Sequence, residues 1–349
     1  MTYSSQLRWG LCCQFLDSPI TFRTATHRYV ASLESQVARS YLSEIAAHNA
    51  DALAAAIERC HQLGIGAFRV NSQILPLATH PITGYSLEQL DPSGAIAGAF
   101  EWAGALARAY DVRLSLHPDQ FVVLNSEREL VVKSAVEELE LQASVAQIIG
   151  ADVIVLHGGG AAGGMHSALE RLERGLELVS ARVRERLAFE NDDRSFTPQI
   201  LRPFCERSSV PLVYDVHHHR CLPDGLSIEE ATEMAFNTWR GREQYCHLSS
   251  PKGGWTAANL RAHDDYIDPA DFPDAWLGRT MTVDVEAKAK ERAVLAIKEV
   301  VMEGSWAHAG ILRCAQDDSS LNKPLRTAGQ YCEDARARPA RQRRNPRTI

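Results

Sequence analysis

Short apolar runs of four to six residues recur along this chain, separated by longer stretches in which apolar residues return every three or four positions. The first pattern suits a strand buried on both faces, and the second suits an amphipathic helix. Strands are expected at 7–14, 67–70, 113–116, 153–156, 186–189, 212–214, 245–248 and 281–285. Helices are expected at 49–63, 94–110, 129–149, 166–184, 197–207, 227–239 and 287–303. In the first helix Leu53, Ile57 and Cys60 share a face, with Asn49 as N-cap and Gly64 closing the end. Strict alternation of strand and helix implies a parallel sheet covered by helices, which a closed barrel and an open doubly wound sheet both satisfy. No GxGxxG or GxxxxGK[ST] sequence follows the first strand, so the nucleotide-binding open sheet loses support. The expected fold is therefore a (β/α)8 TIM barrel. The segments 18–48 and 71–92 exceed ordinary connection lengths and are expected as loop insertions on the catalytic face. The periodic pattern stops after about residue 304, giving a barrel domain over 1–304 and a basic, low-order tail over 305–349.

Six of the apolar runs end on a residue of metal-ligand type: LSLHP at His117, VIVLHGGG at His157, RLAFEND at Glu190, PLVYDVHHH at Asp215, YCHLSS at His247 and TVDVEAK at Glu286. The intervals of 40, 33, 25, 32 and 39 residues bracket the ~30 residues that one strand and one helix occupy in such a barrel. All six side chains would then gather at the carboxyl-terminal mouth, where this fold carries its chemistry. His80 in ATHP, His218 in DVHHH and His263 in RAHDD lie in loops able to fold over the same mouth. Of the triple histidine, His218 is the choice, because neighbours in an extended segment face opposite ways. Each residue also has a plain structural alternative. Glu190 could cap the following turn, Glu286 could pair with Lys290 one helical turn on, and Asp215 could orient a neighbouring histidine. Mixed imidazole and carboxylate ligation suits Mn²⁺, Zn²⁺ or Fe²⁺. Nine candidates exceed the needs of one ion, and clustered divalent ions suit displacement at phosphorus.

Composition adds limits. The chain of 349 residues is 45% hydrophobic and 23% charged, an ordinary globular balance. From Val301 onward there are nine Lys/Arg against five Asp/Glu, leaving 28 against 39 before it. A domain this acidic lacks the basic footprint of a non-specific DNA binder, so a polyanionic substrate would need metals or a few local cations. Arg23, Arg28, Arg69, Lys252 and Arg261 are candidates for phosphate contacts. The eight cysteines include no CxxC pair and are expected as free thiols. No signal-like leader and no run of ~18 apolar residues is evident, so a cytoplasmic protein without membrane partners is expected.

The ordered motifs LSLHPDQFV, VLHGGG, LAFEND, VYDVHHH, CHLSS and VEAKAKE resemble the UV damage endonuclease family, within the endonuclease IV and xylose isomerase-like barrels, from about Leu7 to Val300. The resemblance implies an ATP-independent repair nuclease, working as a monomer without a nucleotide cofactor. It would cut damaged double-stranded DNA immediately 5′ to a UV photoproduct, using up to three divalent ions, commonly Mn²⁺ with Zn²⁺ as the alternative. By motif match the ligands would be His80, His117, His157, Glu190, Asp215, His218, His247, His263 and Glu286, with Glu190, His247 and Glu286 central to catalysis. Gln120 matches a glutamine that probes the duplex. Three positions depart from the family pattern: Leu11 stands where the family has a probing tyrosine, Gln14 and Phe15 replace a strand-end asparagine, and Tyr245 replaces a modified lysine. Leu11 and Tyr245 are carried as candidate DNA or lesion contacts. The rival activities are cleavage at abasic sites and sugar isomerisation or epimerisation on the same barrel.

Overall fold

The computed structural model describes residues 7–302; the expected tail over 305–349 lies outside the described residues. Eight parallel strands close into a barrel in sequence order: β1 (Leu7–Cys12), β2 (Ala67–Val70), β3 (Arg113–Leu116), β4 (Val153–His157), β5 (Leu187–Glu190), β6 (Leu212–Asp215), β7 (Gln244–Leu248) and β8 (Met281–Val285). β1 and β8 complete the ring in the register Gly10 to Asp284. The expected (β/α)8 barrel is therefore the fold, and every expected strand is present.

Along each strand alternate residues face the barrel axis and the helix layer. In β1 the axis-facing side is set by Gly10, where a Cβ would stand 2.0 Å from Asp284 Oδ1. Leu7, Trp9 and Leu11 therefore face the helices, and all three are buried. Tyr245 crosses the barrel interior from β7, its hydroxyl 2.7 Å from Ser115 Oγ on β3. Arg113 lies over the Tyr245 ring at 5.2 Å and pairs with Asp152, so the axis below the mouth is filled and closed. A packed barrel of this kind offers one face for chemistry.

Three helical boundaries differ from expectation, each for a local reason. The first long helix is Ser35–Leu63, starting well before Asn49, because Leu42, Ile45 and Ala46 continue the buried stripe upstream. Asn49 is fully buried inside that helix instead of capping it. Its side chain accepts from Arg23 N–H at 2.8 Å and donates to Arg23 O at 3.0 Å and Ile74 O at 2.8 Å, tying both long loops to the barrel. The stretch expected as one helix over 166–184 divides into Met165–Glu177 and Ala181–Arg184, with Ser180 capping the second piece. The last helix begins at Glu291, after Lys290 adopts φ 52°, so Glu286 and Lys290 do not share a helix. Glu291 is buried and accepts from the Leu16 and Asp17 amides, anchoring the chain that leaves β1. The six cysteines among the described residues are free thiols.

Candidate metal centre

His157, Glu190 and Asp215 are the last residues of β4, β5 and β6; His247 lies in β7, and His117 and Glu286 follow β3 and β8 directly. Pairing places His157 beside Glu190 and Asp215 beside His247, so the strand ends meet at one level. Glu190, 1% exposed, is the hub. Its Oε2 lies 2.9 Å from His117 Nε2 and 3.7 Å from His157 Nε2; its Oε1 lies 2.9 Å from His247 Nδ1 and 3.2 Å from His218 Nδ1. Asp215 Oδ1 accepts the His218 amide at 2.7 Å, starting the short helix Val216–Cys221, and its Oδ2 is buried without a hydrogen-bond partner. His263 Nδ1 stands 3.6 Å from Glu286 Oε2.

That short helix, rather than an extended segment, sorts the triple histidine. His218 turns toward Glu190, His219 bridges the Tyr214 hydroxyl and Asp224, and His217 packs against Trp255 and His263. Asn191 of the FEND motif, not singled out in the sequence, locks β5 to β6 by donating to Asp215 O at 2.8 Å and accepting Asp215 N–H at 2.9 Å. The residue type next to a ligand at a strand end was the available signal.

Eight of the nine expected ligands thus converge, and His80 does not. Its ring stacks on His27 at 4.0 Å, and its Nδ1 accepts from the Ile82 and Thr83 amides at 3.2 Å each. A neutral ring with Nδ1 so engaged carries its proton on Nε2, making that atom a donor instead of a ligand. The expected DNA contacts at Leu11 and Tyr245 are corrected as well. Both have 0% exposure, Leu11 against the helix layer and Tyr245 along the barrel axis, so neither presents a surface to a duplex. Arg69 is likewise no surface phosphate contact. It is 7% exposed and donates to Asp284 Oδ2 at 2.8 Å, Glu286 Oε1 at 2.6 Å and His247 Nε2 at 2.9 Å. Arg23, Arg28, Lys252 and Arg261 remain exposed, as does Gln120. Phe121 beside it is 77% exposed.

The electrostatics suit bound cations. Four carboxylates, from Glu190, Asp215, Asp284 and Glu286, stand at the mouth, and only Asp284 and Glu286 pair with the one buried guanidinium, Arg69. Burial alone would raise Glu190, but His247, His157 and His117 hold it well below the usual carboxylate range; Arg69 and His247 do the same for Glu286. Buried charge of this excess is tolerated when it is compensated. His117 gives the sharpest indication. Its Nδ1 donates to Pro118 O at 3.0 Å, and burial pushes the imidazole toward its neutral form. Its Nε2 is then a lone pair facing the Glu190 carboxylate, acceptor against acceptor, which calls for a cation between them. Three overlapping groups bring their donor atoms within 4.8 Å of one another: His117, Glu190 and His247; Glu190, Asp215 and His218; Asp215, His247 and Glu286. A mixed nitrogen and oxygen donor set fits Mn²⁺, Zn²⁺ or Fe²⁺.

Comparison with known proteins agrees with this architecture. The family model described as UV-endonuclease UvdE matches residues 7–305. A UV DNA damage endonuclease of Deinococcus radiodurans is 34% identical over 304 residues, covering 83% of this chain and 94% of that protein. One from Bacillus velezensis is 33% identical over 254 residues, covering 68% of this chain and 75% of that protein. The crystal structure of SacUVDE superposes with a TM-score of 0.76 at 25% identity, covering 85% of this chain and 99% of that one. Endonuclease IV from Thermus thermophilus shares the fold, with a TM-score of 0.54 at 18% identity over 86% of this chain and 99% of that one. With the family model spanning the whole barrel and its strand-end acids and imidazoles, this chain belongs to the UV-endonuclease UvdE family.

Proposed function

We propose that this protein is a metal-dependent DNA repair endonuclease that cuts the phosphodiester backbone 5′ to UV photoproducts in double-stranded DNA. It would act as a cytoplasmic monomer, without ATP or another nucleotide cofactor. The observation that carries the reading is the buried set of carboxylates at the barrel mouth, ringed by imidazoles whose nitrogens lie within ligand distance of one another, with the neutral His117 ring turning a lone pair to Glu190. The names of its relatives supply the lesion. No helix among the described residues is long and apolar enough to cross a membrane.

The groups that would hold divalent ions, Mn²⁺ before Zn²⁺, are His117, His157, Glu190, Asp215, His218, His247, His263 and Glu286. Bound there, such ions supply the positive charge that a scissile phosphate and a departing 3′-oxygen require. The chain's own part is orientation and exclusion. Glu190 holds the imidazoles from four strand ends at fixed distances, Asn191 fixes Asp215, and Tyr245 seals the floor against water from below. His80, with Nδ1 engaged by backbone, offers an Nε2 proton as donor to a phosphate oxygen. Gln120 and exposed Phe121 form a loop tip able to meet bases, where an aromatic face contributes stacking on any base. Flipping nucleotides from the stack costs less where a lesion already weakens pairing, which supplies selectivity.

The test is to incubate UV-irradiated, abasic and undamaged duplexes with the protein and Mn²⁺, then map the cut ends. Cleavage of the irradiated duplex alone, 5′ to the photoproduct and leaving a 3′-hydroxyl, is expected. Cleavage confined to the abasic duplex, or no nicking together with turnover of a ketose, overturns the reading.

A further inference from the structure

Residues 249–280 join β7 to β8 with only two short 3-10 turns, Pro269–Asp271 and Asp274–Trp276, a connection well beyond ordinary length. His263 lies in it, so something other than a strand or a helix must fix that ring over the mouth. The structure offers one buried acid for the purpose. Asp271, 5% exposed, gathers donors from three separate segments. Its Oδ2 accepts from Ser250 Oγ at 2.5 Å, and its Oδ1 accepts from Trp255 Nε1 at 2.7 Å and Arg220 Nη1 at 3.4 Å. Its carbonyl oxygen takes a further bond from Arg220 Nη1 at 2.9 Å. A carboxylate is stable in such a place when its lone pairs are filled and its charge is matched. Here the matching guanidinium comes from Val216–Cys221, the short helix that also carries His218.

Ser250 and Trp255 mark the base and the tip of one arm of a hairpin. Lys252 N–H donates to Ala262 O at 2.6 Å, Asp264 N–H donates to Ser250 O at 2.9 Å, and Pro251 pairs antiparallel with His263 between them. A single carboxylate therefore grips both ends of the first arm, and His263 stands on the second arm directly opposite. An aromatic row braces the same ring from the side. Arg220 lies over the Trp255 indole at 5.7 Å, Trp255 meets His217 at 5.4 Å, and His217 meets His263 edge to face at 5.3 Å. At the end of this row His263 Nδ1 stands 3.6 Å from Glu286 Oε2.

We propose that Asp271 is a positioning residue for the metal centre: by clamping Ser250, Trp255 and Arg220 together it sets the 250–264 hairpin over the mouth and aims His263 at Glu286. The inference rests on the reading that the mouth binds divalent ions, and the experiment separates the two. A carboxylate that only stabilised the loop would act without regard to His263, whereas a positioning residue acts through it.

The purified full chain is stripped with chelator and titrated with Mn²⁺ while the free ion is followed by its electron paramagnetic resonance signal. His263→Ala identifies the binding step that His263 serves. Asp271→Asn, which keeps the shape and leaves one oxygen to accept where two did, is expected to weaken that same step about tenfold. In a His263→Ala background it is expected to change nothing further, since the residue it acts through is gone. Should Asp271→Asn not fold, Trp255→Phe decides, alone and combined with His263→Ala: it keeps a ring against His217, removes the N–H, and is expected to weaken the step about threefold. Unchanged affinity in the deciding variant, an equal loss with and without His263, or no step weakened by His263→Ala overturns the role of Asp271 while leaving a metal centre in place. A wild-type protein that takes up no manganese overturns the metal centre itself.

Discussion

Glu190→Gln tests the centre most directly, because the substitution keeps shape and removes one charge at the point where four histidines meet. In the metal-free protein two effects oppose each other. The hydrogen bond from His247 to the charged carboxylate, about 1.5–3 kcal/mol, becomes a neutral one of about 0.5–1.5 kcal/mol, while one of the centre's four negative charges disappears. The metal-free melting temperature should therefore move little. With metal the two proteins part. Two ions each at about 100 times their Kd stabilise the folded wild type by roughly 5 kcal/mol. At about 2 °C per kcal/mol for a large chain, that is a rise of about 10 °C. Two of the three candidate ion groups use Glu190. A supporting-shell change alone costs 10–100-fold in metal affinity, so losing the shared anion should cost about 100-fold or more. Each ion would then sit near its Kd and contribute roughly 0.4 kcal/mol, for a total rise under about 2 °C. The assay is a pair of thermal melts, in chelator and at one fixed free Mn²⁺ concentration, run beside nicking of irradiated duplex. A Glu190→Gln protein that keeps the full manganese-dependent rise would refute the assignment of Glu190 as the shared ligand.

Three further outcomes follow from particular side chains. In the metal-free protein burial opposes charging of His218, but Asp215 and Glu190 outweigh it and hold its pKa well above the ordinary imidazole value. Its contribution to stability is then complete below about pH 6.5 and is lost as the pH rises through the folded-state value. Melting of chelator-treated protein should therefore occur at lower temperature at pH 9 than at pH 6, and Mn²⁺ should reverse the trend because ions take deprotonated imidazole; a profile that rises with pH without metal would contradict this. Gly10→Ala would place a methyl group 2.0 Å from Asp284 Oδ1, whose partner oxygen is clamped by Arg69, so a loss of about 3 kcal/mol in urea unfolding is expected and a change under about 0.5 kcal/mol would show that β1 yields freely. Phe121→Ala should leave the melting temperature unchanged, since the ring is 77% exposed, and weaken binding to irradiated duplex by about 1–3 kcal/mol; equal binding would remove the loop tip from the interface.

The barrel and most of its mouth are legible in the sequence because two periodicities coincide. One strand and one helix occupy a nearly constant length, and a side chain at a strand's carboxyl end has one place to point, so His117, His157, Glu190, Asp215, His247 and Glu286 can be read as a ring from spacing alone. His80 is turned by the amides of Ile82 and Thr83 just after it, and the other corrected positions depend on direction within a strand or on partners distant in sequence. The motif position of Leu11 suggests a DNA role, although the period-two pattern of Leu7, Trp9 and Leu11 against Arg8, Gly10 and Cys12 already turns it toward the helices. Asn49 resembles a cap because Asn commonly is one, and its bonds to Arg23 and Ile74 are visible only in three dimensions. Arg69 is the instructive case. A lone arginine inside the apolar strand AFRV has too few local partners to be buried there unless anions wait across the barrel. β2 hydrogen-bonds to β1, β1 closes the ring with β8, and the strand end of β8 carries Asp284 and, just beyond it, Glu286. Strand order alone therefore brings the arginine and its acids together, and a guanidinium among a centre's own carboxylates offsets part of their charge where burial would otherwise oppose it.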